Sequence, residues 1–165
     1  MKCIIILIVF VSLFLNNAIA QNCSYEKNTI DEFTDKTILQ TSPEMFINFS
    51  EKVKCSLGRI DSLKFILLEL TTGKSLYKIG KENLLYLILD NGEKTQFEPI
   101  ELIVFSNKIH GYNNIKVAYE LRDLEKIKSS SISKMRVTTS DGFFEYEIKK
   151  KGAKNLFIEQ LSCIN

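Results

Sequence analysis

The chain is poor in the residues from which most catalytic and metal sites are made. It has one histidine (His110), no tryptophan, two prolines (Pro43 and Pro99) and four cysteines, none of them in a C-x-x-C arrangement. That inventory excludes the usual Cys/His zinc sets, so no metal or other cofactor is expected. A Ser-His or Cys-His catalytic pair would have to be built on His110. That residue lies in "NKIHGYNN", a polar stretch that reads as a solvated loop. No G-x-S-x-G elbow, P-loop, G-x-G-x-x-G or H-E-x-x-H occurs. Surplus charge is also lacking: 22 Lys and Arg stand against 20 Asp and Glu, and 21 against 20 once Lys2 is set aside. No global field would steer such a chain to nucleic acid or to an acidic membrane surface.

Only one long apolar run is present, and it lies at the start. "MKCIIILIVFVSLFLNNAIA" has a single cation (Lys2), an apolar run from Ile4 to Leu15, and Ala18 and Ala20 before a cut. That is the three-part pattern of a secretory signal peptide. The run is too short and too terminal to favour a membrane span. Cleavage after Ala20 leaves residues 21–165, which is 145 residues and enough for one domain with its own core. Cys23 follows Asn22. A bacterial lipid-attachment box has a small residue at that place, so the expectation is a free exported chain without a transmembrane span.

Export brings the remaining cysteines, Cys23, Cys55 and Cys163, into an oxidising compartment, where one disulfide and one thiol are expected. Cys23 and Cys163 sit near the two ends, and domain termini are often close in space. A Cys23–Cys163 bond would stabilise by up to about 4 kcal/mol in the chain-entropy account. The two pairings that involve Cys55 stay open.

Glycine, though only seven residues, punctuates the chain. In "MRVTTSDGFFEYEIKKKG", Asp141-Gly142 reads as a two-residue type I′ hairpin turn. Thr139 then faces Phe144, Val137 faces Tyr146 and Met135 faces Ile148. One side carries Met135, Val137, Thr139, Phe144, Tyr146 and Ile148. The other pairs Arg136 with Glu147 and Thr138 with Glu145. "LLYLILDNGEKTQFE" repeats the grammar at Asn91-Gly92. It puts Tyr86 and Ile88 on a face with Thr95 and Phe97, and Leu85, Leu87 and Leu89 on the other, as in a strand covered on both sides. "KFILLELTTGKSLYKI" predicts a third hairpin turning at Thr72-Gly73. Further strands are expected at Ile100–Phe105, Tyr112–Leu121 and in "DKTILQT". "RDLEKIKSS" predicts a short helix. Ala153, Phe157, Leu161 and Ile164 form the stripe of an amphipathic C-terminal helix. The expected fold is a single α+β domain: an antiparallel, hairpin-rich sheet with that helix packed on it.

Candidate site residues are few. Asp90 and Glu93 flank the Asn91-Gly92 turn, a pair that can bind a cation or hold one raised pKa; exposure at a hairpin tip is the simpler reading. Asp31, Glu32 and Asp35 form an acidic patch without the ligand spacing of a calcium loop. Lys149, Lys150 and Lys151, with Lys154 nearby, precede a helix start that favours anions, although a charged run is usually a solvated face. An unpaired cysteine has no activating neighbourhood in the sequence.

"DEFTDK", "LDNGE" and "TSDGFFEYEIKKKGA" before an amphipathic end, all downstream of a signal peptide, resemble small exported proteins of unknown function from Gram-negative bacteria, which carry D-E-F-T-G and T-S-D-G in similar order. Asp31 to Thr34 and Thr139 to Gly142 match. Asp35 departs, standing where glycine is usual. The resemblance implies an exported α+β domain and carries over no catalytic residue. The leading expectation is a non-enzymatic envelope or interaction module, periplasmic or extracellular, that meets a protein or envelope partner through exposed edge strands. A small carboxylate- or metal-dependent hydrolase is the second reading. The third is a lipid or small-molecule carrier, suited by 11 Phe and by the apolar run 84–89.

Overall fold

A computed structural model describes residues 23–48, 51–73, 79–109 and 112–165, without the side chains of residues 47, 48 and 101–109. Residues 1–20, read above as a signal peptide, and His110 therefore lie outside the described residues. The described residues run through eleven strands: β1 (Tyr25–Ile30), β2 (Thr37–Thr41), β3 (Glu44–Asn48), β4 (Lys52–Ile60), β5 (Leu63–Thr72), β6 (Leu85–Leu89), β7 (Lys94–Phe97), β8 (Pro99–Ile109), β9 (Tyr112–Glu120), β10 (Ile132–Thr139) and β11 (Gly142–Glu147). Short helices follow at α1 (Leu124–Ile127), α2 (Lys151–Lys154) and α3 (Leu156–Gln160), with a 3₁₀ turn at Leu161–Ile164.

The strands form two antiparallel sheets rather than the one expected. The larger has the order β1-β2-β4-β5-β9-β8, with β3 also paired to β4; the smaller has the order β11-β10-β6-β7. The chain passes between them at Glu98, where Phe97 ends β7 and Pro99 begins β8. Both inner faces feed one hydrophobic cluster, in which Val53, Leu57 and Leu68 of the larger sheet join Leu85, Leu87, Met135 and Val137 of the smaller. The core thus lies between the sheets, and each strand that faces it alternates inward apolar with outward residues.

The central hairpin of the larger sheet is β4–β5, paired along its whole length from Lys52↔Thr71 to Ile60↔Leu63 and turning at Asp61-Ser62. Asp61 takes φ +52°, a left-handed position that Asp tolerates better than most residues. Strand β5 is hydrogen-bonded to β4 on one edge and to β9 on the other. The second arm of the hairpin expected at Thr72-Gly73, residues 74–78, lies outside the described residues.

Two hairpins turn one residue earlier than Asn-Gly and Asp-Gly suggest, with different consequences. At Asn91-Gly92 the Leu89 N–H bonds to the Glu93 carbonyl at 2.9 Å and the Gly92 N–H to the Leu89 carbonyl at 2.9 Å. The loop is therefore Asp90-Asn91-Gly92, with Gly92 at φ +83°, a three-residue connection that ends on a left-handed glycine. The added loop residue shifts β7 by one, which exchanges its faces. Phe97 lies opposite Leu85 and Thr95 opposite Leu87, while Tyr86 faces Gln96 and Ile88 faces Lys94. At Asp141-Gly142 the turn is Ser140-Asp141, closed by Thr139↔Gly142. Neither corner residue has positive φ, so the type I′ geometry is absent; Gly142 carries φ +134° instead. Here the register moves by two, so the faces are kept. Met135 meets Tyr146, Val137 meets Phe144 and Arg136 meets Glu145, and Met135, Val137, Thr139, Phe144 and Ile148 are buried as the alternation requires.

The C-terminal stripe is also kept without the continuous helix. Ala153, Phe157, Leu161 and Ile164 are all buried, but Asn155 and Gln160 leave helical geometry and divide the segment into α2, α3 and the 3₁₀ turn. The bends let a chain anchored at Cys163 follow the sheet instead of projecting from it.

Candidate functional site

The two ends of the described chain are clasped together. Cys23 and Cys163 form a disulfide across 140 positions. The Tyr25 hydroxyl donates to the Cys163 carbonyl at 2.9 Å, and Lys64 Nζ donates to Asn165 Oδ1 at 2.6 Å. Thr41 sits where the chain leaves β2 for β3. Its hydroxyl accepts the Leu57 N–H at 2.9 Å and donates to Gln160 Oε1 at 2.5 Å. Gln160 Nε2 in turn donates to the Ser42 carbonyl at 3.2 Å. These side chains satisfy the main-chain groups that the β2–β3 break frees, and they fix the C-terminal segment against the larger sheet.

The clasp sets the posture of β1. All six of its residues are exposed, and it ends the larger sheet, so its outer edge is unpaired among the described residues. At its far end Asp31 Oδ1 accepts the N–H groups of Phe33 and Thr34, each at 3.0 Å, and the Asp31 carbonyl accepts the Asp35 N–H at 2.8 Å. Those backbone donors hold the Asp31 carboxyl below the usual carboxylate range. Asp35, the position at which the resembled pattern has glycine, takes φ +56°. The acidic stretch is therefore a self-bonded turn, and it presents Ile30 at 66% and Phe33 at 98% exposure.

The other candidates do different work. Asp90 is exposed; its carboxylate lies 3.7 Å from Lys154, and its N–H bonds to the Ser131 carbonyl. Glu93 is exposed, and its N–H bonds to Asn91 Oδ1 at 3.0 Å. Each backbone shapes the hairpin tip, and Asp90 pairs with a cation rather than with a second acid. Lys149 lies 3.8 Å from Glu147, and Lys149, Lys150 and Lys151 are all exposed before a helix of only four residues. Cys55 is free and fully buried. Burial first, and then the charge of Glu69, push its thiol pKa well up, so it stays an unreactive thiol. Among the described residues no three His, Cys, Asp or Glu side chains gather to hold a metal, and no helix is long and apolar enough to cross a membrane.

A groove of about 200 Å³ lies on the outer face of the smaller sheet. Its floor follows the cross-strand rows. Lys94 (β7), Ile88 (β6) and Lys134 (β10) form one row, and Gln96, Tyr86, Arg136 and Glu145 form the next. Arg136 is locked: its guanidinium bonds twice to Glu145 Oε2 and stands 4.4 Å above the Phe143 ring. The Arg136 partner holds the Glu145 carboxyl below its ordinary value. The sequence hid this groove, because the register expected at Asn91-Gly92 placed Tyr86 and Ile88 beside Thr95 and Phe97. The alternation of Lys94, Gln96, Lys134 and Arg136 was the available signal.

No family model, no curated protein and no solved structure matches the chain.

Proposed function

We propose that the protein is an exported, non-enzymatic interaction module of the cell envelope, which offers β1 to an extended segment of a partner protein. The observation that carries this reading is that β1 is wholly exposed and yet held at both ends, by Cys23–Cys163 at one and by the Asp31 turn at the other. A strand ordered in advance spares its partner most of the ordering cost of strand addition. Ile30 and Phe33 supply apolar contacts beside the open edge. The secretory pattern of residues 1–20 and a disulfide between the chain ends support a periplasmic or extracellular location.

The test is site-specific photo-crosslinking in the native host, with a benzophenone side chain at position 33 and a control at position 143. A discrete protein adduct at position 33 alone, lost in an Ile30→Lys background, is expected. No adduct, or the same adduct from both positions, would sink the reading.

A further inference from the structure

We propose that the outer face of the smaller sheet binds a small amphiphilic carboxylate. Its apolar body, a single ring or a short acyl chain, lies on Tyr86 and Ile88, and its carboxylate sits between Lys94 and Lys134.

Three observations lead there. The first is size. A cavity of about 150 Å³ holds a benzene ring, and the groove measures about 200 Å³, room for a single ring or a short chain. The second is the floor. Tyr86 and Ile88 point away from the core and are half-buried by their neighbours, with apolar surface left open between charged walls. The third is the charge on those walls. Lys94, Lys134 and Arg136 line the groove against the single carboxylate of Glu145, which Arg136 holds and whose pKa the charge of Lys134 also lowers; neither lysine has a carboxylate within 4 Å among the described residues, so the walls carry surplus positive charge. Glu147, opposite Lys134 in register, pairs with Lys149.

The two lysines flank Ile88 from adjacent strands, each roughly 4.8 Å away in the sheet. Both line the groove on flexible stems, and an apolar floor strengthens an ion contact by lowering the local dielectric. A neutral sugar would leave both cations unanswered. A bare inorganic anion would leave the apolar floor wet. An acid with an apolar body satisfies both.

The test is an NMR titration of the full exported chain with 4-phenylbutyrate, with 4-phenylbutanol as the uncharged control. Saturable shifts confined to β6, β7 and β10 are expected, with the alcohol about tenfold weaker. The Lys94→Gln/Lys134→Gln double variant should bind the acid no better than the alcohol, and Lys94→Gln alone, at an exposed site, should fall between. Binding is independent of the β1 reading, so Ile30→Lys should leave it unchanged. Equal binding of acid and alcohol, full affinity in the double variant, shifts mapping elsewhere, or no saturation at millimolar concentrations would each overturn the proposal.

Discussion

The outer faces of the two sheets are finished in opposite ways. On the larger sheet the outward residues of the central strands are themselves buried: Phe65 and Leu67 of β5 and Ala118 of β9 form a second cluster, flanked by Ile60 and Ile100. Gly58 makes the closure possible. A Cβ there would come within 2.4 Å of the Phe65 ring, so only glycine lets the ring lie across β4. On the smaller sheet the outward residues Tyr86 and Ile88 stay half-open, and Phe143 is 60% exposed beneath Arg136. The two faces use similar residue types. What differs is a cover on one and unanswered cations around the other. A covered apolar face contributes to stability, whereas an open one ringed by charge is free to bind.

The comparison can be broken from the inside outward. The largest loss is expected where the sheets share their core: Leu68→Ala, at a fully buried position, should cost about 3–4 kcal/mol in denaturant unfolding. A loss below about 1 kcal/mol would mean that the sheets do not pack as described. Removing the clasp with Cys23→Ala/Cys163→Ala should cost about 2–4 kcal/mol. It should raise hydrogen exchange in β1 and the C-terminal segment before the central β4–β5 hairpin. Uniform loosening would show that the ends are no separate unit. Gly58→Ala should cost about 1–3 kcal/mol by displacing Phe65, while Gly→Ala at exposed Gly73, where the added Cβ meets only ordinary contacts, should cost much less.

Alkaline pH probes the inner face. Burial raises the pKa of both Cys55 and Tyr119. Raised folded values mean that stability is fully present below the unfolded pKa values, near 8.5 and 10, and declines as pH climbs past them. Tyr119→Phe should remove part of that decline. The Tyr119 hydroxyl is buried with no hydrogen-bond partner among the described residues, so the same change should be neutral or slightly stabilising at pH 7. A clear loss at pH 7 would reveal a partner for that hydroxyl.

Much of this was legible in the residues themselves, and the rest failed for identifiable reasons. Alternation located β6, β7, β10 and β11, and the C-terminal stripe identified the buried positions 153, 157, 161 and 164. Registers were less secure, because glycine after Asn or Asp does not fix loop length. At Gly142 the shift was two residues, which changes partners but not faces. At Gly92 it was one, which moved Phe97 into the core and Lys94 to the rim of the groove. Strand β4 was missed although Val53, Cys55 and Leu57 alternate with Lys52, Lys54 and Ser56; the glycine that Phe65 needs interrupts that pattern at position 58 and weakens the strand signal. The exposed residues of β1 carry no alternation that marks a strand, and the expected signal peptide lies outside the described residues.

The contrast between the faces comes down to two side chains, Leu67 on β5 and Ile88 on β6, each pointing away from the shared core. Equilibrium unfolding of Leu67→Ala and Ile88→Ala measures it directly. The expected loss is about 2–3 kcal/mol for Leu67→Ala and at most about 1 kcal/mol for Ile88→Ala. Equal losses would mean that the outer face of the smaller sheet is as closed as that of the larger, with no open floor for a ligand.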